Sequence, residues 1–160
     1  MDATDIIVTP AERYERGLAL KNAGLYKAAI DQFEMAVADS DIALKAHAQV
    51  GVCFKLSNRY PEAVEAFQKA LSASTGSSKE TIPILYILGR TLESLGRVEE
   101  TLEAYRWIRR EEPEYRDVAV RIEQLSSRRS VPAGKKCRVE EPARTGSFLK
   151  FRQGLLGTSK

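Results

Sequence analysis

The chain has 160 residues, of which 43% are hydrophobic, 29% charged and 8% aromatic, enough apolar material for about one compact domain. No run approaches the roughly 20 apolar residues of a membrane-spanning helix, Met1–Asp5 is acidic where a secretory leader is basic, and Cys53 and Cys137 are too few for a disulfide framework or a zinc cluster, so a cytoplasmic, soluble, reduced protein without cofactor or metal is expected. The net charge of +3 conceals a split: acidic residues outnumber Lys and Arg by 20 to 16 in residues 1–125, whereas basic residues lead by 9 to 2 in residues 126–160.

Along the chain, the first start signal is Thr9-Pro10-Ala11-Glu12, a capping threonine, a proline in the first turn and a glutamate placed to complete a capping box. A repeating register follows, aligned on Gly17, Gly51 and Gly89, with spacings of 34 and 38 residues. After Gly17 come Leu20, Gly24, Tyr26, Ala29, Phe33 and Ala36; after Gly51 come Phe54, Asn58, Tyr60, Ala63, Phe67 and Ala70. After Gly89 come Leu92, Gly96, Val98, Thr101, Tyr105 and Ile108, with Pro113 closing the unit.

Apolar recurrence at three- and four-residue steps makes each segment an amphipathic helix. Small residues (Gly17, Ala29, Ala36; Gly51, Ala63, Ala70) fall where two helix backbones approach closely, and the aromatics Tyr26, Phe33, Tyr60 and Phe67 are expected to fill the gap between one pair and the next. Gly24, Asn58 and Gly96 mark tight turns in which a left-handed residue is expected. Pro61 and Pro113 fall at first turns of later helices, and the four extra residues before the third block fit within Ser72–Ser78. A seventh helix over 114–125 places Val118, Ile122 and Leu125 on one face, as a cap on the last pair. Residues 126–160, rich in Gly, Ser and basic side chains, read as a disordered tail, with one apolar island, Phe148–Leu156, suited to an idle end, a docking motif or lipid contact.

The pattern resembles the tetratricopeptide repeat (TPR), a helix–turn–helix unit of 34 residues. The resemblance covers three repeats, about 10–41, 44–75 and 82–114, and implies an all-α fold: an α-solenoid of three stacked hairpins with a capping helix, a TPR domain over residues 1–125. Arg13 and Arg16 depart from it, standing where the family has bulky apolar residues, as do Val98, Thr101 and Ile108 in place of Tyr, Ala and Ala.

The function implied by the resemblance is peptide or protein binding in a concave groove lined by the first helix of each unit. Projecting the family's groove positions gives Tyr14, Leu18 and Lys21 from the first block, Lys45, Ala48, Val52 and Lys55 from the second, and Tyr86, Arg90 and Glu93 from the third. Four cations against one carboxylate, beside tyrosines and aliphatic groups, suit a ligand that is partly acidic and partly hydrophobic. The alternatives are a merely solvated face, or a groove filled by the protein's own helix. The Lys-Asn-Asn-Lys-Arg clamp with which some members hold a C-terminal carboxylate is absent, its sites reading Tyr14, Leu18, Gln49, Pro83 and Ile87.

No nucleophile–base pair, phosphate loop or metal motif accompanies these residues. The single histidine, His47, reads as a packing residue, and Trp107 beside Arg106, Arg109 and Arg110 as a half-buried one rather than a base-stacking platform. An adaptor, scaffold or chaperone-like protein is the expectation. The alternative is a protein associated with nucleic acid or an anionic membrane surface through its basic tail, whose binding would fall steeply with added salt.

Overall fold

Seven helices carry the chain in the computed structural model, which describes residues 8–74 and 77–129. They are α1 (Pro10–Asn22), α2 (Tyr26–Ala36), α3 (Ser40–Leu56), α4 (Tyr60–Ser72), α5 (Ser78–Ser94), α6 (Val98–Glu111) and α7 (Val118–Arg129), with no strand among the described residues. Among the described residues they fall into two compact units, one with α1–α4 and the other with α5–α7.

In the first unit, α1 pairs with α2 and α3 with α4, and α2 packs on α3. The start of α1 is set by its cap. The Glu12 amide donates to Thr9 Oγ1 at 3.2 Å, and the Thr9 amide donates to Glu12 Oε2 at 2.8 Å. Each hairpin corner turns through one left-handed residue, Gly24 at φ 80° and Asn58 at φ 58°. The paired helices approach so closely that a Cβ on Gly17 would lie 2.6 Å from the Phe33 ring, and one on Gly51 would lie 2.7 Å from the Phe67 ring. Both rings are fully buried, and Ala29, Ala36, Ala46, Val50, Cys53 and Ala66 close the core about Phe33.

Phe33 therefore serves two contacts, lying over Gly17 of its own hairpin and in one core with Ala46, Val50 and Cys53 of the next. Phe33 and Phe67 fill the space over a glycine inside their own hairpin, because removing one Cβ opens a slot the width of a ring. Tyr26 and Tyr60 stay half-exposed at the helix starts.

In the second unit, α5 pairs with α6 through Gly96 at φ 71°, and a Cβ on Gly89 would come within 2.4 Å of Tyr105. Helix α7 lies on α6 and buries Val118, Ile122 and Leu125, the three residues its spacing put on one face. Its limits differ from 114–125. Glu112, before Pro113, is extended (φ −134°, ψ 94°), as steric conflict with the proline ring requires. Arg116 is left-handed at φ 46°, which no right-handed helix accommodates, so Pro113 lies in a turn and α7 begins at Val118. At the other end α7 runs through Ser126–Arg129, where Ser127 Oγ donates to the Gln124 carbonyl at 2.9 Å.

The four extra residues are shared out. Relative to α2 in the 34-residue register, α4 is two residues longer, and five residues rather than three separate it from the next helix. The remainder of the expected tail, residues 130–160 with the Phe148–Leu156 island, lies outside the described residues.

Candidate peptide-binding face

In the first unit, Tyr14, Leu18 and Lys21 follow one stripe of α1, while Lys45, Gln49, Val52 and Lys55 follow one stripe of α3. Tyr14, Leu18, Lys21, Val52 and Lys55 are half-buried, and Lys45 is exposed. The Tyr14 ring rests on Phe33 with centroids 5.5 Å apart and planes tilted by 57°. Burial raises the pKa of its phenol, an effect opposed by a hydrogen bond to Gln49. Lys21 Nζ donates to Gln49 Oε1 at 2.7 Å. Thus Gln49, which entered the sequence reading only as a departure from a clamp, ties α3 to α1 through Lys21. Its partners are set by tertiary geometry, and only the four-residue step from Lys45 hinted that it shares the face.

Behind this face Cys53 is fully buried, and burial raises its thiol pKa against the opposing pull of Lys21. His47 is half-buried, and its pKa is lowered by burial first and by Lys69 second, with Glu34 opposing. Among the described residues no three His, Cys, Asp or Glu side chains are grouped to hold a metal, and no helix is long and apolar enough to cross a membrane.

In the second unit the projected stripe is used differently. Tyr86 is only 9% exposed: Tyr115 packs edge-on to its ring at 5.7 Å, Arg116 lies 5.0 Å over its face, and its hydroxyl donates to Asp117 Oδ1 at 2.7 Å. Glu93 accepts from Tyr105 Oη at 3.2 Å and pairs with Arg121 of α7 at 3.0 Å, and Arg121 Nε in turn donates to Asp117 Oδ2 at 2.7 Å. The Tyr86 hydrogen bond, and Arg121 more weakly, hold the Asp117 carboxyl below its usual range. Tyr86, expected on an open groove, is therefore covered by the protein's own 115–117 turn. Arg90 remains exposed, 3.9 Å from Glu93. Trp107 is half-buried, and Arg106, Arg109 and Arg110 are exposed around it.

Antiparallel helix pairs, each with a glycine under the ring of its partner helix, define the class of this fold as helical-repeat. Comparison with solved structures makes it more particular: the fold is that of TPR domains. The first TPR of Spaghetti (RPAP3), solved bound to the HSP90 peptide SRMEEVD, superposes with a TM-score of 0.63 at 14% identity over 76% of this chain and 97% of its own. The Yersinia enterocolitica type III secretion chaperone SycD, in complex with a peptide of the translocator YopD, gives 0.58 at 12% identity over 74% of this chain and 89% of its own. A second SycD structure gives 0.58 at 14% identity over 74% and 84%. No protein-family model and no curated protein sequence matches the chain.

Proposed function

We propose that the chain is a non-enzymatic protein-interaction module, an adaptor, scaffold or chaperone-like holder, that takes a partly acidic, partly apolar peptide segment on the α1–α3 face of its first unit. One observation carries the reading. Lys21, Lys45 and Lys55 accompany the half-buried Tyr14, Leu18 and Val52 on two stripes joined by Gln49. Lysines there speed encounter and select for acid, while the aromatic and aliphatic groups hold the complex. The peptide complexes among the structural neighbours support a peptide as the ligand class. Arg90 is an accessory candidate in the second unit; Tyr86, being covered, is not a first point of contact.

The test is an array of acidic–apolar 12-residue peptides probed with the full chain, followed by kinetics on the peptides retained. Lys45→Glu with Lys55→Glu should slow association, more so at low salt, and Leu18→Asp with Val52→Asp should speed dissociation at unchanged helicity. Binding indifferent to both pairs but abolished by changes around Trp107 or in residues 130–160 would move the site elsewhere.

A further inference from the structure

Helix α6 buries Thr101, Leu102, Ala104, Tyr105 and Ile108, and packs on α5 and α7. Glu99, Glu103, Arg106 and Arg110 are all exposed on its other side, within about 60° of one another at roughly 100° per residue. Their order along the helix is acid, acid, base, base. Like charges therefore stand four residues apart twice, an arrangement that costs a lone helix some stability. The helix dipole accounts for Glu99 and Arg110, which lie in the first and last turns, but its influence does not extend to Glu103 and Arg106 in the middle. The side chains of those two make no ion pair or hydrogen bond among the described residues, and Arg110 has its sequence neighbour Glu111 at 3.6 Å.

The spacing has a symmetry. Glu103 and Arg106 stand equally far either side of the midpoint between Ala104 and Tyr105, and Glu99 and Arg110 stand equally far from the same point. We infer that this face of α6 is the contact surface for a second copy of the chain, the two helices lying antiparallel about a two-fold axis at that midpoint. The axis sets Glu99 against Arg110 of the partner subunit and Glu103 against Arg106 of the partner subunit, and each pair occurs twice. Such an interface is isologous, one patch serving as its own complement, and it closes at two chains. A wholly acidic or wholly basic partner would satisfy only half of the pattern. Glu100 stays out of it, held by Arg97 at 2.6 Å. Trp107 supplies the apolar hold: it is half-buried on the flank of the charged face, two and a half residues from the axis. The two indoles then lie on the same side of the helix pair, about 8 Å apart along its length. Trp and Arg are the residue types that most often dominate a contact between proteins.

The test is sedimentation equilibrium of the full chain from about 10 μM to about 1 mM, the range suited to a small, transient interface. The mass should rise toward that of two chains, and added sodium chloride should oppose the rise, because exposed ion pairs are screened. Trp107 is the single tryptophan of the chain, so its emission should shift to the blue and its quenching by acrylamide should fall as the dimer forms. Glu103→Arg and Arg106→Glu, each alone, set like charges across the axis and should weaken association by about tenfold or more. An equimolar mixture of the two single variants should regain wild-type strength, and so should one chain carrying both changes. Both positions are exposed, and circular dichroism melts matching wild type establish that the variants are folded.

A chain that stays monomeric at about 1 mM would overturn the proposal. A dimer indifferent to both reversals, or one weakened by them that the mixture does not restore, would mean that copies meet through another surface and would overturn it equally.

Discussion

Substituting Gly51 by alanine adds one methyl group to the contact between α3 and α4. The new carbon would lie 2.7 Å from two carbons of the Phe67 ring and 2.9 Å from a third, whereas comfortable carbon–carbon contact begins near 3.5 Å. Phe67 is fully buried, so the ring must retreat by about an ångström into a filled interior, or the helices must part. Overpacking of this kind costs about 1–3 kcal/mol, and the helix preference of alanine over glycine returns at most about 1 kcal/mol. The expected net loss is about 1–2 kcal/mol, read from urea denaturation at an unchanged m-value. Phe67→Leu makes room, so in the Gly51→Ala background it should cost about 1 kcal/mol less than in wild type. Gly24→Ala is the contrast: nothing stands within 4 Å of its Cβ, and its penalty comes from the φ of 80° alone, about 1 kcal/mol, which no change in the core relieves. Gly51→Ala as stable as wild type, without coupling to Phe67, would refute the close approach.

Two more outcomes are expected. Burial, and then the Glu93 carboxylate, raise the Tyr105 pKa far above the ordinary phenol range; the stability this contributes is present in full below about pH 10 and lost as pH rises through the folded value. Ultraviolet titration should show Tyr105 as the last tyrosine to ionise, Tyr105→Phe should flatten the alkaline fall in stability, and a Tyr105 that ionises with the exposed tyrosines would contradict the burial. A chain ending at Arg129 should melt as the full chain does, because every described helix ends by that residue; a cooperative loss of helix would place residues 130–160 in the core.

The hairpins were legible because their signals are local and periodic. Thr9 and Glu12 announce a cap, and Gly24, Asn58 and Gly96 are the residue types that tolerate a left-handed corner. The glycines at 17, 51 and 89 pointed to close approach, but not to which ring would fill each slot, since that depends on the partner helix one corner away. The start of α7 was misread because its controlling feature, the positive φ of Arg116, has no signature in an arginine. Of the candidate face, the lysine and aliphatic spacing was visible, whereas Gln49 and the covering of Tyr86 depend on hydrogen bonds between residues 28 and 31 positions apart.

The third glycine slot is plugged by a tyrosine where the other two hold phenylalanine, and that one oxygen alters how the second unit is sealed. From Tyr105 inside the hairpin, the circuit passes through Glu93, Arg121 and Asp117 and returns at Tyr86, so the last helix is fastened by charge as well as by Val118, Ile122 and Leu125. Attraction between partly exposed ions is weakened by mobile counterions, with a screening length of about 10 Å at 0.1 M falling to about 3 Å at 1 M. The apolar plugs of the first unit have no such sensitivity. Concentrated sodium chloride should therefore speed amide exchange selectively along α7, giving the second unit a dependence on ionic strength that the phenylalanine plugs of the first do not share.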